Sequence, residues 1–205
     1  MTVAAAAAAA HSGRPVIVPT DTVYGLATSP HREEQVRRLY RLKRREDAQP
    51  TAIVARDLDM LLECLPELRG RAATSAWALL PGPFTLVLPN PARRFPWLTG
   101  NRPDTIGVRV PDLEGPGRDF LDLAGAVAAT SANLHGGPDP CRLEDVPYEL
   151  RRAAAAEIDG GELPGTPSTV IDLTGPAPAV LREGAVSSQD ALARLAGAQA
   201  GPAAR

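Results

Sequence analysis

Short β-branched runs alternate along the chain with longer stretches whose apolar residues recur at helical spacing. Residues 4–10 predict an alanine-rich first helix that stops near Gly13. Val16-Ile17-Val18, enclosed by two prolines, suits a buried strand. It runs into Pro19-Thr20-Asp21-Thr22-Val23-Tyr24-Gly25-Leu26, where small polar side chains and a glycine surround one tyrosine. Over residues 31–45, Val36, Leu39, Tyr40 and Leu42 give a charged helix a partly apolar face. Residues 51–55 predict a strand; 58–65 and 72–79 predict helices, the first stopped near Pro66.

Pro81-Gly82-Pro83 forms a turn feeding a strand over 84–88, and 105–110 is a further strand. A short helix is expected over 119–123, followed by the small-residue run 126–129 that ends in Thr130-Ser131-Ala132-Asn133. Residues 143–156 contain a helix, 168–173 and 179–182 two late strands, and 189–195 a last short helix. Strands and helices interleave throughout, which predicts an α/β fold, a sheet with flanking helices. No internal repeat or Pro/Gly/Ser-rich linker divides the chain, so one domain over residues 1–205 is expected, with a frayed tail at 196–205.

Composition narrows the function classes. A formal net charge of -2 argues against a surface that grips nucleic acid everywhere, while leaving room for a local basic cleft. Cys64 and Cys141 lie far apart and read as free thiols, and His11, His31 and His135 show no ligand spacing, so no protein-held metal is expected. No apolar run approaches the ~20 residues of a bilayer span. The alanine run at 4–10 lacks a basic segment before it, so a cytoplasmic protein with no membrane contact is expected.

One composition detail points to chemistry. Lys43 is the single lysine of the 205-residue chain, against 21 arginines. An ammonium is a compact point charge suited to a phosphate oxygen, where arginine offers a flat fork. Several apolar strands also end in polar bursts: Val18 before Thr20, Asp21 and Thr22; Ala129 before Thr130, Ser131 and Asn133; Leu181 before Arg182. Ligands of open α/β sheets bind beside strand ends. Phosphate-loop, dinucleotide-turn and serine-elbow signatures are absent. The residues by themselves therefore give an α/β protein with an anion-binding cleft, and Asp21 or Thr22 could equally cap a helix or close a turn.

Taken in order, seven segments resemble the YrdC/Sua5 family, the L-threonylcarbamoyladenylate synthases. They are Pro19-Thr20-Asp21-Thr22-Val23-Tyr24-Gly25-Leu26, Lys43-x-Arg45, Leu80-Pro81-Gly82-Pro83-Phe84-Thr85 and Thr105-Ile106-Gly107-Val108-Arg109. Ser131-Ala132-Asn133, the stretch from Asp159-Gly160-Gly161 to Ser168-Thr169-Val170-Ile171-Asp172, and Leu181-Arg182-x-Gly184 complete the set. The resemblance implies a YrdC-like domain, in its short single-domain form, with a core over about 13–186 and a twisted mixed sheet around a concave basic cleft. It implies formation of threonylcarbamoyl-AMP and pyrophosphate from L-threonine, bicarbonate and ATP, with Mg2+ accompanying ATP. The product would pass to threonylcarbamoyl-transfer proteins that modify adenosine 37 of tRNA, and contact with tRNA or double-stranded RNA is a further expectation.

By the same resemblance Lys43 and Arg45 are the catalytic phosphate contacts, with Gln49, Thr105, Asn133, Cys141 and Arg182 also on the ATP side. Thr22, Arg109, Ser131 and Ser168 would bind threonine. The chain departs from the family pattern at Gln49-Pro50-Thr51, Asp139-Pro140-Cys141, Thr166-Pro167 and Glu183. Ala55 stands where a histidine is expected, which would open the amino-acid pocket. Two other readings stay open: a non-catalytic RNA-binding module, and a paralogue adenylating another carbamoylated substrate.

Overall fold

The computed structural model describes residues 2–44 and 49–199. Nine strands form one mixed sheet: β1 (Val16–Val18), β2 (Gly25–Thr28), β3 (Ala52–Ala55), β4 (Phe84–Pro89), β5 (Thr105–Arg109), β6 (Ala126–Ser131), β7 (Ala156–Glu157), β8 (Thr169–Asp172) and β9 (Ala179–Arg182). Their spatial order is β7-β1-β2-β6-β3-β5-β4-β8-β9. Seven α-helices flank the sheet: α1 (Val3–His11), α2 (Glu33–Leu42), α3 (Leu58–Cys64), α4 (Gly70–Leu79), α5 (Gly115–Ala124), α6 (Tyr148–Ala153) and α7 (Ser188–Gln199).

Strand alternation sorts side chains onto two faces. Ile53 and Ala55 of β3 face the same way as Leu86, Val108 and Ile171, into the larger core built with α3, α4 and α7. Val16, Val18, Ala27, Val54 and Val127 face the other way, beneath α1 and α5. Those two helices cover only the β1-β2-β6-β3 half of that face. Across β5, β4, β8 and β9 the same face stays open, and the cavity described below lies there.

Several expectations shift. Gly25–Thr28 is a strand with all four residues buried, because β1 and β6 pair with it from either side. The helix expected within 143–156 shrinks to α6 behind one 3-10 turn, and Ala156 joins the two-residue β7 that pairs with β1. α5 starts at Gly115, ahead of the expected 119–123. α7 runs to Gln199, so residues 196–199 are helical where a frayed tail was expected. The Ala55 expectation is overturned: its side chain is fully buried in the core on the face away from the open half of the sheet, so it widens nothing there. Among the described residues no helix is long and apolar enough to cross a membrane.

Candidate active site

The open half of the sheet floors a cavity of about 470 Å³. Thr105, Gly107 and Arg109 reach it from β5 at every second position, Thr85 and Val87 from β4, and Ser131 from β6. From Thr105 to Arg109 the strand advances about 13 Å, so the cavity has two separable ends.

The Arg109 end is built with the β1–β2 loop. Thr20 holds this loop in shape: its Oγ1 donates to Val23 O at 2.7 Å and accepts from Thr22 N and Val23 N, each at 3.2 Å. The loop is then stitched to distant chain, with Tyr24 N donating to Pro140 O and Gly165 N donating to Thr22 O, both at 2.9 Å. This brings Asp21 and Thr22 over β5. Arg109 Nη2 donates to Asp21 Oδ1 at 2.7 Å and to Thr22 Oγ1 at 3.2 Å, while Asp112 N donates to the other Asp21 oxygen at 3.2 Å. Asp21 and Arg109 side chains are only 7% and 13% exposed. Burial pushes the Asp21 carboxyl above its ordinary value, with the Arg109 charge pulling the other way. Burial likewise pulls the Arg109 guanidinium down, Asp21 opposing and Arg182 reinforcing. An arginine starts far enough above neutrality to stay cationic. Its Nε is buried without a hydrogen-bond partner.

Ser168, just before β8, and Arg182 of β9 close this end. Ser168 Oγ lies 2.7 Å from Thr85 Oγ1, and Arg182 Nη2 donates to Ser168 O at 2.8 Å. Gly184 makes this crossing possible, since a Cβ there would lie 2.1 Å from Pro167 O.

At the opposite end stand Thr105, Ser131, Pro50, Thr99, Asn101 and Arg102. Lys43, directly after α2, is 3% exposed and lies behind Ser131, donating to the Ser131 carbonyl and to Asn133 Oδ1, the latter at 2.8 Å. Ser131 Oγ donates to the same Asn133 oxygen at 2.7 Å, and Asn133 Nδ2 donates to Gly137 O at 2.7 Å. A buried ammonium thus organises the Ser131-Ala132-Asn133 turn from beneath.

Of the residues singled out from sequence, Thr22, Thr105, Arg109, Ser131, Ser168 and Arg182 line the cavity. Lys43 and Asn133 adjoin it through Ser131. Gln49 and Cys141 are not among its described lining residues; the Cys141 thiol donates instead to Asp145 Oδ2 at 3.3 Å. Arg45 lies outside the described residues. Asp21 was read as part of a polar burst that could equally cap a helix or close a turn, Thr85 and Asp139 stood inside quoted segments without a role, and Arg102 was not singled out; Thr85, Arg102 and Asp139 also line the cavity. Among the described residues no group of three or more His, Cys, Asp or Glu is placed to hold a metal ion.

Residues 8–184 match the Sua5_yciO_yrdC family model, described as "Telomere recombination". The chain belongs to the Sua5/YciO/YrdC family. It is similar to the threonylcarbamoyl-AMP synthase of Bacillus subtilis, 31% identical over 189 residues that make up 91% of this chain and 54% of that protein. With the threonylcarbamoyl-AMP synthase of Stenotrophomonas maltophilia the identity is 33% over 165 residues, 78% of this chain and 87% of that one. Among solved structures, Pyrococcus abyssi Sua5 complexed with L-threonine superposes with a TM-score of 0.83 at 34% identity, over 92% of this chain and 55% of the other. The chain therefore spans about half the length of the Bacillus and Pyrococcus family members it resembles.

Proposed function

We propose that this chain is an L-threonylcarbamoyladenylate synthase, a nucleotidyltransferase that makes threonylcarbamoyl-AMP and pyrophosphate from L-threonine, bicarbonate and ATP. The observation that carries this reading is the buried Arg109 guanidinium, held by Asp21 and Thr22 and left with an unpartnered Nε, in a cavity lined by Thr and Ser hydroxyls. A guanidinium so placed suits a carboxylate. The cavity volume of about 470 Å³ falls in the range of small-molecule sites, and the family's synthase names support the same reaction.

In this reading threonine lies with its carboxylate on Arg109 and its body against Thr22 and Ser168, while Ser131, at the other end, faces the nucleotide. Its amine takes up bicarbonate as a carbamate with loss of water, and a carbamate oxygen attacks the α-phosphorus of ATP. The phosphorus–oxygen bond to pyrophosphate breaks, and negative charge grows on the leaving group. Fixed cations beside that group stabilise the transition state more than the ground state; Arg45 and Arg182 are assigned to it, while Lys43, buried behind Ser131, holds the Ser131–Asn133 turn in place. No protein nucleophile is required, so positioning and electrostatics carry the rate.

Magnesium bound with ATP would neutralise phosphate charge. The Asp139 carboxylate and neighbouring Ser and Thr hydroxyls in the lining are oxygen donors of the type this ion takes, with phosphates and water supplying the rest. The product would serve threonylcarbamoyl-transfer proteins acting on tRNA, in the cytoplasm.

The test is threonine- and bicarbonate-dependent release of pyrophosphate from magnesium ATP by the purified protein. Release no greater than a threonine-free blank overturns the reading. The alternative of a different carbamoylated substrate drew on Ala55 opening the amino-acid pocket, and loses that support with Ala55 in the opposite core.

A further inference from the structure

We propose that Arg102 is the platform on which the nucleobase of the substrate stacks. This rests on the synthase reading, which orders the reactants along the cavity. If the carboxylate meets Arg109, the base is the group farthest from it, beyond carbamate, phosphate and ribose. The turn just before Thr105, at the end of β5 away from Arg109, carries Arg102 to the cavity wall beside Thr99 and Asn101.

The way Arg102 is held decides what it can offer. Its Nη1 donates to Asp172 Oδ2 at 2.9 Å and its Nη2 to Thr174 Oγ1 at 3.1 Å. Asp172 is in turn fixed by Thr174, whose N donates to Asp172 Oδ1 at 2.9 Å. Burial pushes the Asp172 carboxyl up, yet its hydrogen bonds from Thr174 and Arg102 outweigh this and hold it below its ordinary value. Both terminal nitrogens of the guanidinium are thus engaged and its charge is met by a carboxylate. With its charge so met and each terminal nitrogen tethered through one N–H, the group is held as a fixed flat plane at the cavity wall.

That face fills a need. Among the described residues no Phe, Tyr, Trp or His lines the cavity, so a base entering it meets no aromatic ring. Val87, paired with Asp172, makes the adjoining wall apolar, and an edge-bonded guanidinium is a plane that stacks on an aromatic system. The side chain is half exposed, and its main chain is independently fixed: Arg102 N donates to Thr99 O at 3.2 Å, and Thr105 N donates to Arg102 O at 3.0 Å. Side-chain substitution therefore leaves the turn that presents Thr105 intact.

The experiment is calorimetric titration of the wild type, Arg102→Ala and Arg102→Lys, each with threonine, bicarbonate and magnesium. The probes are α,β-methylene ATP, which cannot release pyrophosphate, and inorganic tripolyphosphate, which has the charge but no base. Both variants are expected to bind the nucleotide roughly tenfold more weakly, with tripolyphosphate affinity and melting temperature unchanged. Tripolyphosphate weakening in step with the nucleotide would assign Arg102 to the phosphates and overturn the proposal. So would unchanged nucleotide affinity in Arg102→Ala, or wild-type affinity in Arg102→Lys, which keeps the charge and loses the plane. A wild-type protein that binds neither probe overturns the synthase reading itself, a separate result.

Discussion

Arg109 donates to Asp21 at 2.7 Å through Nη2 while the Nε of the same guanidinium stays buried and unpartnered. Asp21 thereby fixes which edge of the fork remains for a ligand. Asp21→Asn keeps the shape and removes the charge that orients Arg109. It is expected to raise the KM for threonine about tenfold, or ~1.4 kcal/mol, with the KM for ATP little changed. Asp21→Ala strands a buried cation and should cost about 3 kcal/mol in denaturant unfolding. Equal threonine KM values in Asp21→Asn and wild type would remove Asp21 from the site.

Lys43 is expected to tolerate no replacement. Lys43→Ala strips a buried donor from both the Ser131 carbonyl and Asn133, and should abolish threonine-dependent pyrophosphate release. Lys43→Arg keeps the charge but forces a larger, planar group into a site only 3% exposed. A loss of kcat/KM on the order of tenfold or more is expected, and full activity in Lys43→Arg would show that the ammonium's geometry is immaterial.

Gly184 owes its identity to space. A methyl there would meet Pro167 O at 2.1 Å and the Ser168 carbonyl carbon at 2.6 Å, both main-chain atoms. Gly184→Ala should therefore displace the Ser168–Arg182 contact and lower stability by about 2 kcal/mol. Thermal unfolding measures the second effect and threonine titration the first. An unchanged threonine affinity would mean that the displaced segment is not part of the pocket.

A pH effect is expected away from the site. Asp57 caps α3, its Oδ1 accepting from Met60 N at 2.8 Å. That hydrogen bond, partly opposed by burial and assisted by Arg56, holds the carboxyl below its ordinary value. A lowered folded-state value stabilises the fold above the unfolded value of ~3.9 and loses that stabilisation as pH falls through the folded one. Asp57→Ala should cost about 1 kcal/mol at neutral pH. The gap from wild type should close below about pH 4, as read from urea midpoints across pH.

The sequence made the floor of the cavity readable, because Thr105, Gly107 and Arg109 alternate along an unmistakable strand. It hid β2, since Gly25-Leu26-Ala27-Thr28 lacks β-branched bulk and is a strand only by pairing with β1 and β6. Ala55 was misread because a strand residue faces one side or the other by register, and its partnership with Ala126 belongs to tertiary structure. The Asp21–Arg109 pair joins residues 88 positions apart, and Arg102 meets Asp172 across 70. Neither separation leaves a trace in local periodicity.

The stitched β1–β2 loop has a consequence for synthesis. Tyr24 donates its hydroxyl proton to Gly161 O at 2.8 Å and accepts there from Gly160 N at 2.9 Å, while Ser168 receives Arg182 from still later in the chain. The first wall of the cavity thus waits for partners more than a hundred residues downstream. Such distant pairings form late and slowly, so a chain emerging from the ribosome gains its binding site only after the residues through Arg182 have been made.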